Sequence, residues 1–323
     1  MTGERKCALK KIVVIGEVLV EIMADTIGDG FKAPQALTGP FPSGAPAIFA
    51  DQAAKMGQPV ALISSVGNDD FGRVNLERLA SDSVDTSGIH IDDDLPTGSA
   101  FVRYREDGDR DFVFNIKHSA SGKLNVYPAA QKLLDGADHL HVMGSSLSSS
   151  DFIDLNLRTA KAIKARGGTI SFDPNLRKEM LSSAGMAEAT AQIVSLTDLF
   201  LPSGSELTLL TEADDDTGAI AELLRRGVQS IVHKNGSAGA QHHDANGTAS
   251  VKGFWVDEVD PTGAGDCFGA TFAVLWLRGM PPEKALVIAA AAGALAVTKR
   301  GPMEGTADLA TIEQFIEASR KAQ

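Results

Sequence analysis

The residues best suited to chemistry stand together in "DPTGAGD", residues 260–266. This stretch lies between a short apolar segment, "GFWVDEV", and an apolar helical run, "CFGATFAVLWL". If the helix starts near Gly265, the amides of Ala264, Gly265 and Asp266 are among its unpaired first-turn donors, at the positive end of the macrodipole. Gly263, Ala264 and Gly265 have almost no bulk, so an anion can approach those amides closely. Such a cradle suits the charge of a transferring phosphoryl group, and Asp266 beside it is placed as a general base toward an acceptor hydroxyl. A plain turn followed by an N-cap would use the same residues. The stretch needs partners.

The elements that must hold it alternate along the chain. Short apolar runs ("KIVVIG", "PVALISSVG", "HLHVMG", "GTISFD", "DLFLP", "SIVHKNG") are mostly separated by stretches with helical spacing, such as "PAIFADQAAKMG" and "DFIDLNLRTAKAIKARGG". This order predicts an α/β fold, a doubly wound and mainly parallel sheet flanked by helices, as a single domain over residues 1–323. Two segments, about 17–43 and 89–117, turn strand-like and rich in Gly, Asp and Pro, and predict a small β-strand lid over one edge of the sheet. Near the end, "KALVIAAAAGALAVTKRG" predicts a buried, Ala-rich helix. Ligands in open α/β sheets bind at the carboxyl ends of the strands. No G-x-G-x-x-G follows "IVVIG" and no G-x-x-x-x-G-K-[ST] occurs, so neither a dinucleotide fingerprint nor a P-loop is present.

Composition narrows the function classes. A chain of 323 residues with 43% hydrophobic content can bury a sizeable core. A formal net charge of −12 argues against nucleic acid or an anionic membrane as partner. An anionic substrate then requires backbone amides or a metal to reverse the field locally. The two cysteines, Cys7 and Cys267, have no metal or disulfide spacing and read as reduced thiols of a cytoplasmic protein. The amino-terminal apolar run is too short for a signal segment or a spanning helix. His139 and His141 read as core or cleft-edge residues, and "HHD" at 242–244 as a solvated hairpin.

Partners for the opening stretch do occur, in order. "DPTGAGDCFGATF" closely resembles the C-terminal signature of the ribokinase-like (PfkB) carbohydrate kinases. "FPSGAPAIFADQAAKMG" with "SSVGNDDFG" resembles their glycine motif and its companion, "FDPNLR" their D-x-N-x-R segment, "HKNGSAGA" their nucleotide-side turn and "ALAVTKRG" their closing helix. The resemblance runs from about residue 12 to 301. It implies the ribokinase-like fold and an ATP- and Mg²⁺-dependent sugar kinase. Asp266 would be the catalytic base, and Gly263, Ala264 and Gly265 the anion hole. Lys234, Gly236 and Gly239 match the nucleotide-side motif, though a strand end and turn would use the same residues. Glu206 matches the Glu that positions Mg²⁺ through water. On the sugar side the resemblance implies Glu21, Gly44, Asp173, Asn175 and Arg177. Asp260 and Thr262, with carbonyls around Ala296, Lys299 and Gly301, match the potassium site of cation-activated members; Asp before Pro is also a common turn start. A homodimer paired through the lid stays open.

The chain also departs from the pattern. Ser203 stands where the family's N-x-x-E has Asn, Ile48 where a sugar-contacting Asn is usual, and Ser43 at the first glycine of the glycine motif. Loss of the amide at position 48 leaves a polar contact for the lid to supply, and strand alternation nominates Arg103 and Asn115. Arg103 and Arg105 would suit a carboxylated sugar such as 2-keto-3-deoxygluconate. The lid motifs most resemble bacterial tagatose kinases, which places a ketohexose, D-tagatose, ahead of 2-keto-3-deoxygluconate or fructose. A nucleoside kinase, or a non-catalytic sugar sensor that would not need Asp266, ranks lower.

Overall fold

The computed structural model describes residues 8–28, 30–106, 110–124, 126–147, 149–175 and 185–321. The strands in chain order begin with β1 (Ile12–Ile15), β2 (Leu19–Ala24), β3 (Leu37–Ser43), β4 (Val60–Gly67), β5 (Ile89–Asp92), β6 (Gly98–Tyr104) and β7 (Arg110–Asn115). They continue with β8 (His139–Met143), β9 (Thr169–Asp173), β10 (Leu199–Phe200), β11 (Ser230–Lys234), β12 (Ala240–Asp244) and β13 (Gly247–Val251). The helices are α1 (Ala45–Lys55), α2 (Asp70–Ser81), α3 (Pro128–Gly136), α4 (Ser150–Ala165) and α5 (Met186–Leu196). After them come α6 (Glu206–Leu209), α7 (Asp216–Arg225), α8 (Ala264–Leu277), α9 (Pro282–Ala296) and α10 (Leu309–Lys321).

Nine strands form one sheet in the order β13-β12-β11-β10-β9-β8-β1-β4-β5. Every pairing from β11 to β5 is parallel, and only the β11–β12–β13 edge is antiparallel. Alternation along β1 shows why both faces carry helices. Ile12 and Val14 enter one core with residues of α1, α8 and α9, whereas Val13 and Ile15 enter the other with residues of α3, α4 and α5. Helix α8 is buried along most of its length, from Cys267 to Leu275, which fixes its first turn relative to the carboxyl edge of the sheet.

The lid is a four-stranded sheet, β3-β2-β6-β7. Its second part starts at Gly98 and not near residue 89, because β5 pairs in parallel with β4 and belongs to the large sheet. Sequence pattern could not separate the two, since β5 and β6 are both short strands bounded by Asp and Pro. The small sheet rests on the segment that follows α9: the Phe41 ring lies where a Cβ on Gly301 would be 2.7 Å from Cδ1. Arg300 also donates to Asp25 Oδ1 at 2.7 Å and to the Ala24 carbonyl at 3.3 Å, at the end of β2.

Candidate active site

Two helix starts meet at the carboxyl edge of the sheet. Helix α8 is capped by Gly263 in the left-handed region (φ 85°), where a Cβ would lie 2.4 Å from the Pro302 carbonyl. Only glycine fits there. Helix α1 is entered through Gly44 (φ 113°), whose Cβ would lie 2.5 Å from the Glu17 carbonyl. Buried Ile48 on α1 brings its Cγ2 to 3.4 Å from the Cβ position of Gly263. It therefore fills the space between the two helix starts, an apolar role that the sequence did not suggest for it.

Asp266 stands in the first turn of α8. Loss of hydration pushes its carboxyl up to about 8; the Asp173, Glu17 and Glu21 carboxylates add to this, and Lys234 opposes it. The residues that act on it come from separate elements. Asp173 ends β9, and its Oδ2 accepts a hydrogen bond from the Lys234 ammonium at the end of β11. Both partners are buried. Burial pushes the Asp173 carboxyl up while Lys234 pulls it down. The Lys234 ammonium also lies 3.7 Å from where a Cβ on Gly265 would be. The Lys234 charge therefore stands at the first turn of α8, where the macrodipole is also positive.

Glu21 on β2 is buried, and its Oε1 accepts from Ser43 Oγ at 2.7 Å. Ser43, the departure from glycine, thus holds the expected sugar-side carboxylate. Glu17 was missed by the sequence reading. Its two carboxylate oxygens accept from Ser145 Oγ at 2.7 Å and Ser146 Oγ at 2.9 Å, and burial pushes its carboxyl up. Its position just past β1, a central strand, was the available signal. Asn175 follows Asp173 with φ 38°, a left-handed conformation uncommon outside glycine. Arg177 lies outside the described residues.

Gly236 and Gly239, expected on a nucleotide side, bracket a short turn after β11, closed by the Gly239 N–H to the Gly236 carbonyl at 3.1 Å. Glu206 Oε2 accepts the N–H of Ser203 at 2.7 Å, and Ser203 bridges to Lys234 in parallel. A carboxylate so placed beside the Lys234 strand suits a magnesium ion carried in on nucleotide phosphates and reached through water.

Arg103 and Asn115 are not brought to this site. Cross-strand partners share a face, and Glu21, Ala100 and Phe114 form one such row. Arg103 pairs with Asp111 and Asn115 with Ser99, on the opposite face. Arg103 is held within the small sheet: it donates to Gln35 Oε1 at 2.6 Å and Thr26 Oγ1 at 3.2 Å and lies over the Phe31 ring. Asn115 lines a cavity of about 590 Å³ with Asp69, Phe71, Thr97, Lys117 and His118, a lining that includes none of the site carboxylates. The residues of β6 and β7 that do reach the α8 loop are Tyr104 and Arg110. The Tyr104 hydroxyl donates to Asp260 Oδ1, and Arg110 donates to Thr262 Oγ1 at 3.0 Å. Gly301 donates its N–H to Asp260 Oδ2 at 2.9 Å, Ala296 ends α9 and Lys299 is exposed. Both strand histidines are core groups: His139 and His141 share Ser171 Oγ at 2.8 Å each, and His141 stacks on Phe49.

A helix start with free amides, a buried ammonium and a carboxylate of raised proton affinity thus stand together at the carboxyl edge of the sheet. The family model described as "pfkB family carbohydrate kinase" matches residues 9–308, and the chain belongs to that family. "Probable fructokinase-7" of Arabidopsis thaliana is 31% identical, over 96% of this chain and 93% of that protein. A solved structure described as "a putative Ribokinase II in complex with ATP and Mg+2 from E.coli" superposes with a TM-score of 0.91 at 48% identity, covering 96% of this chain and 100% of that one. A fructokinase double mutant from Vibrio cholerae O395, solved in a fructose, ADP and potassium ion bound form, gives 0.78 at 26% identity, covering 96% and 100%. Among the described residues, no helix is long and apolar enough to cross a membrane.

Proposed function

We propose that this carbohydrate kinase transfers the γ-phosphoryl group of Mg–ATP to a hydroxyl of a neutral ketohexose, with D-tagatose placed first and D-fructose next. The observation that carries the chemistry is Asp266 in the first turn of α8 with the Lys234 ammonium alongside. Asp266 takes the proton of the acceptor hydroxyl as that oxygen bonds to the γ-phosphorus. The bond to the bridging oxygen breaks and ADP leaves. The first-turn amides of α8 and Lys234 hold the charge of the phosphoryl group in flight. Glu206 would reach, through water, a magnesium ion carried in on the nucleotide, and that ion would supply positive charge against the acidic residues of the cleft.

The case for a neutral sugar rests on the arginines. Arg103 is committed to Gln35 and Thr26, Arg105 lies 3.9 Å from Asp111, and Arg110 is bonded to Thr262. To meet the carboxylate of 2-keto-3-deoxygluconate, any of these three lid arginines would have to leave a standing partner. The curated fructokinases among the relatives support the same choice. In a coupled assay, kcat/KM for D-tagatose and D-fructose should exceed that for 2-keto-3-deoxygluconate. An advantage of more than about tenfold for the acid, ~1.4 kcal/mol, would remove the ketohexose reading.

The protein works in the cytoplasm as a homodimer formed through the outer face of the small sheet. That face exposes Leu37 and Val113 (41% and 47%) around an apolar groove shared with Phe31 and Phe101. A second copy would cover it. Other donors hold the Asp260 carboxylate that potassium would use.

A further inference from the structure

Asp260 is buried, and three donors hold it: the Thr262 N–H at 2.9 Å and the Tyr104 hydroxyl on Oδ1, and the Gly301 N–H at 2.9 Å on Oδ2. A carboxylate offers about four lone-pair directions, so little of this one is left for an ion. The Gly301 carbonyl, another expected cation ligand, accepts from the Glu304 N–H at 3.1 Å. Near the carboxylate stands the Arg110 guanidinium: it donates to Thr262 Oγ1 at 3.0 Å, and that oxygen lies 3.4 Å from the Tyr104 oxygen. A potassium ion placed here would add a like charge next to a guanidinium. The donor set therefore fits a monovalent cation poorly.

Tyr104 and Arg110 are cross-strand partners on the face of the small sheet that also carries Glu21. Both reach residues that immediately precede the cap of α8. Burial and the Asp260 carboxylate push the Tyr104 phenol up, so it remains a donor. We infer that Tyr104 and Arg110 are positioning residues that hold the 260–263 loop and supply there the positive charge expected of potassium. The anion hole is thereby tied to the lid and not to a free cation. The Arg300–Asp25 pair and the Phe41–Gly301 contact lie on the same junction and act in the same direction.

The activity arm of the test rests on the kinase reading; the thermal arm does not. Potassium is titrated against choline at constant ionic strength, with kcat, both KM values and Tm read for the full chain. Wild type should change in kcat by less than about twofold and show no potassium-specific rise in Tm. Arg110→Met should lose kcat by about 10–100-fold, with a smaller change in sugar KM, and gain a potassium-dependent rise in both kcat and Tm. Arg110→Lys, which keeps the charge, should stay potassium-insensitive. Tyr104→Phe, nearly isosteric, should lower kcat yet stay potassium-insensitive because Arg110 keeps its charge, and Arg110→Gln stands in for Arg110→Met if that variant does not fold. Potassium activation of wild type with a matching Tm rise, or unchanged kcat in Arg110→Met, overturns the inference. If no sugar on the panel is phosphorylated, the substrate reading fails while the potassium-specific Tm difference between wild type and Arg110→Met still decides this one.

Discussion

Asp266→Asn removes the proposed base, and opposite signs are expected for activity and stability. In the folded protein the carboxyl is pushed from its ordinary 3.8 up to about 8, chiefly by lost hydration and then by Asp173. Between those values the folded state holds a proton that the unfolded chain has released, so stability falls as pH rises through the window. At ~1.4 kcal/mol per unit, the roughly three units between 3.8 and pH 7 correspond to about 4 kcal/mol. Asp266 is only partly buried by surface area, and solvent screening lowers the expected figure to about 1–3 kcal/mol. Asn occupies the same volume without this cost. The variant should therefore be more stable than wild type at pH 7–8 and equal to it near pH 4, read as denaturation midpoints across pH. Turnover should fall about 10²–10⁴-fold with ATP affinity largely kept, because Asn cannot take the acceptor proton. For wild type, kcat/KM should climb with pH, pass half its maximum near 8, where the free enzyme's Asp266 carboxyl loses its proton, and level off about one unit higher. Near-wild-type turnover in the variant, or a stability difference that ignores pH, refutes the assignment.

Lys234→Met should lower kcat by about 10²–10³-fold by removing the charge beside Gly265. It also leaves Asp173 buried without its ion-pair partner, so this variant should lose most stability at high pH, measured by the same denaturation series. Arg103→Ala should change sugar KM by less than about threefold, since its partners are Thr26, Gln35 and Phe31; a larger loss confined to KM would return it to the sugar site.

The order of elements was legible because each run keeps one period: β-branched stretches of strand length, then helical spacing. The placement of the candidate site residues was legible where position along an element fixes it. Asp266 must sit in the first turn of α8 if Gly263 caps it, and Lys234 must end β11 at the carboxyl edge. The lid was legible only up to a sign. Alternation says that Arg103 and Arg105 face one way and Tyr104 the other, but not which way is inward, because a one-residue choice flips every side chain. Charge suggested the arginines; burial chose otherwise. Ala100 and Val102, both buried, belong to the Tyr104 set, and packing that apolar pair inward turns Arg103 out. The same choice carries Arg110 inward across the strand pair, onto Thr262. A cation contact invisible to motif comparison thus follows from two small apolar residues, and it bears on Asp260, the carboxylate that motif comparison had given to potassium.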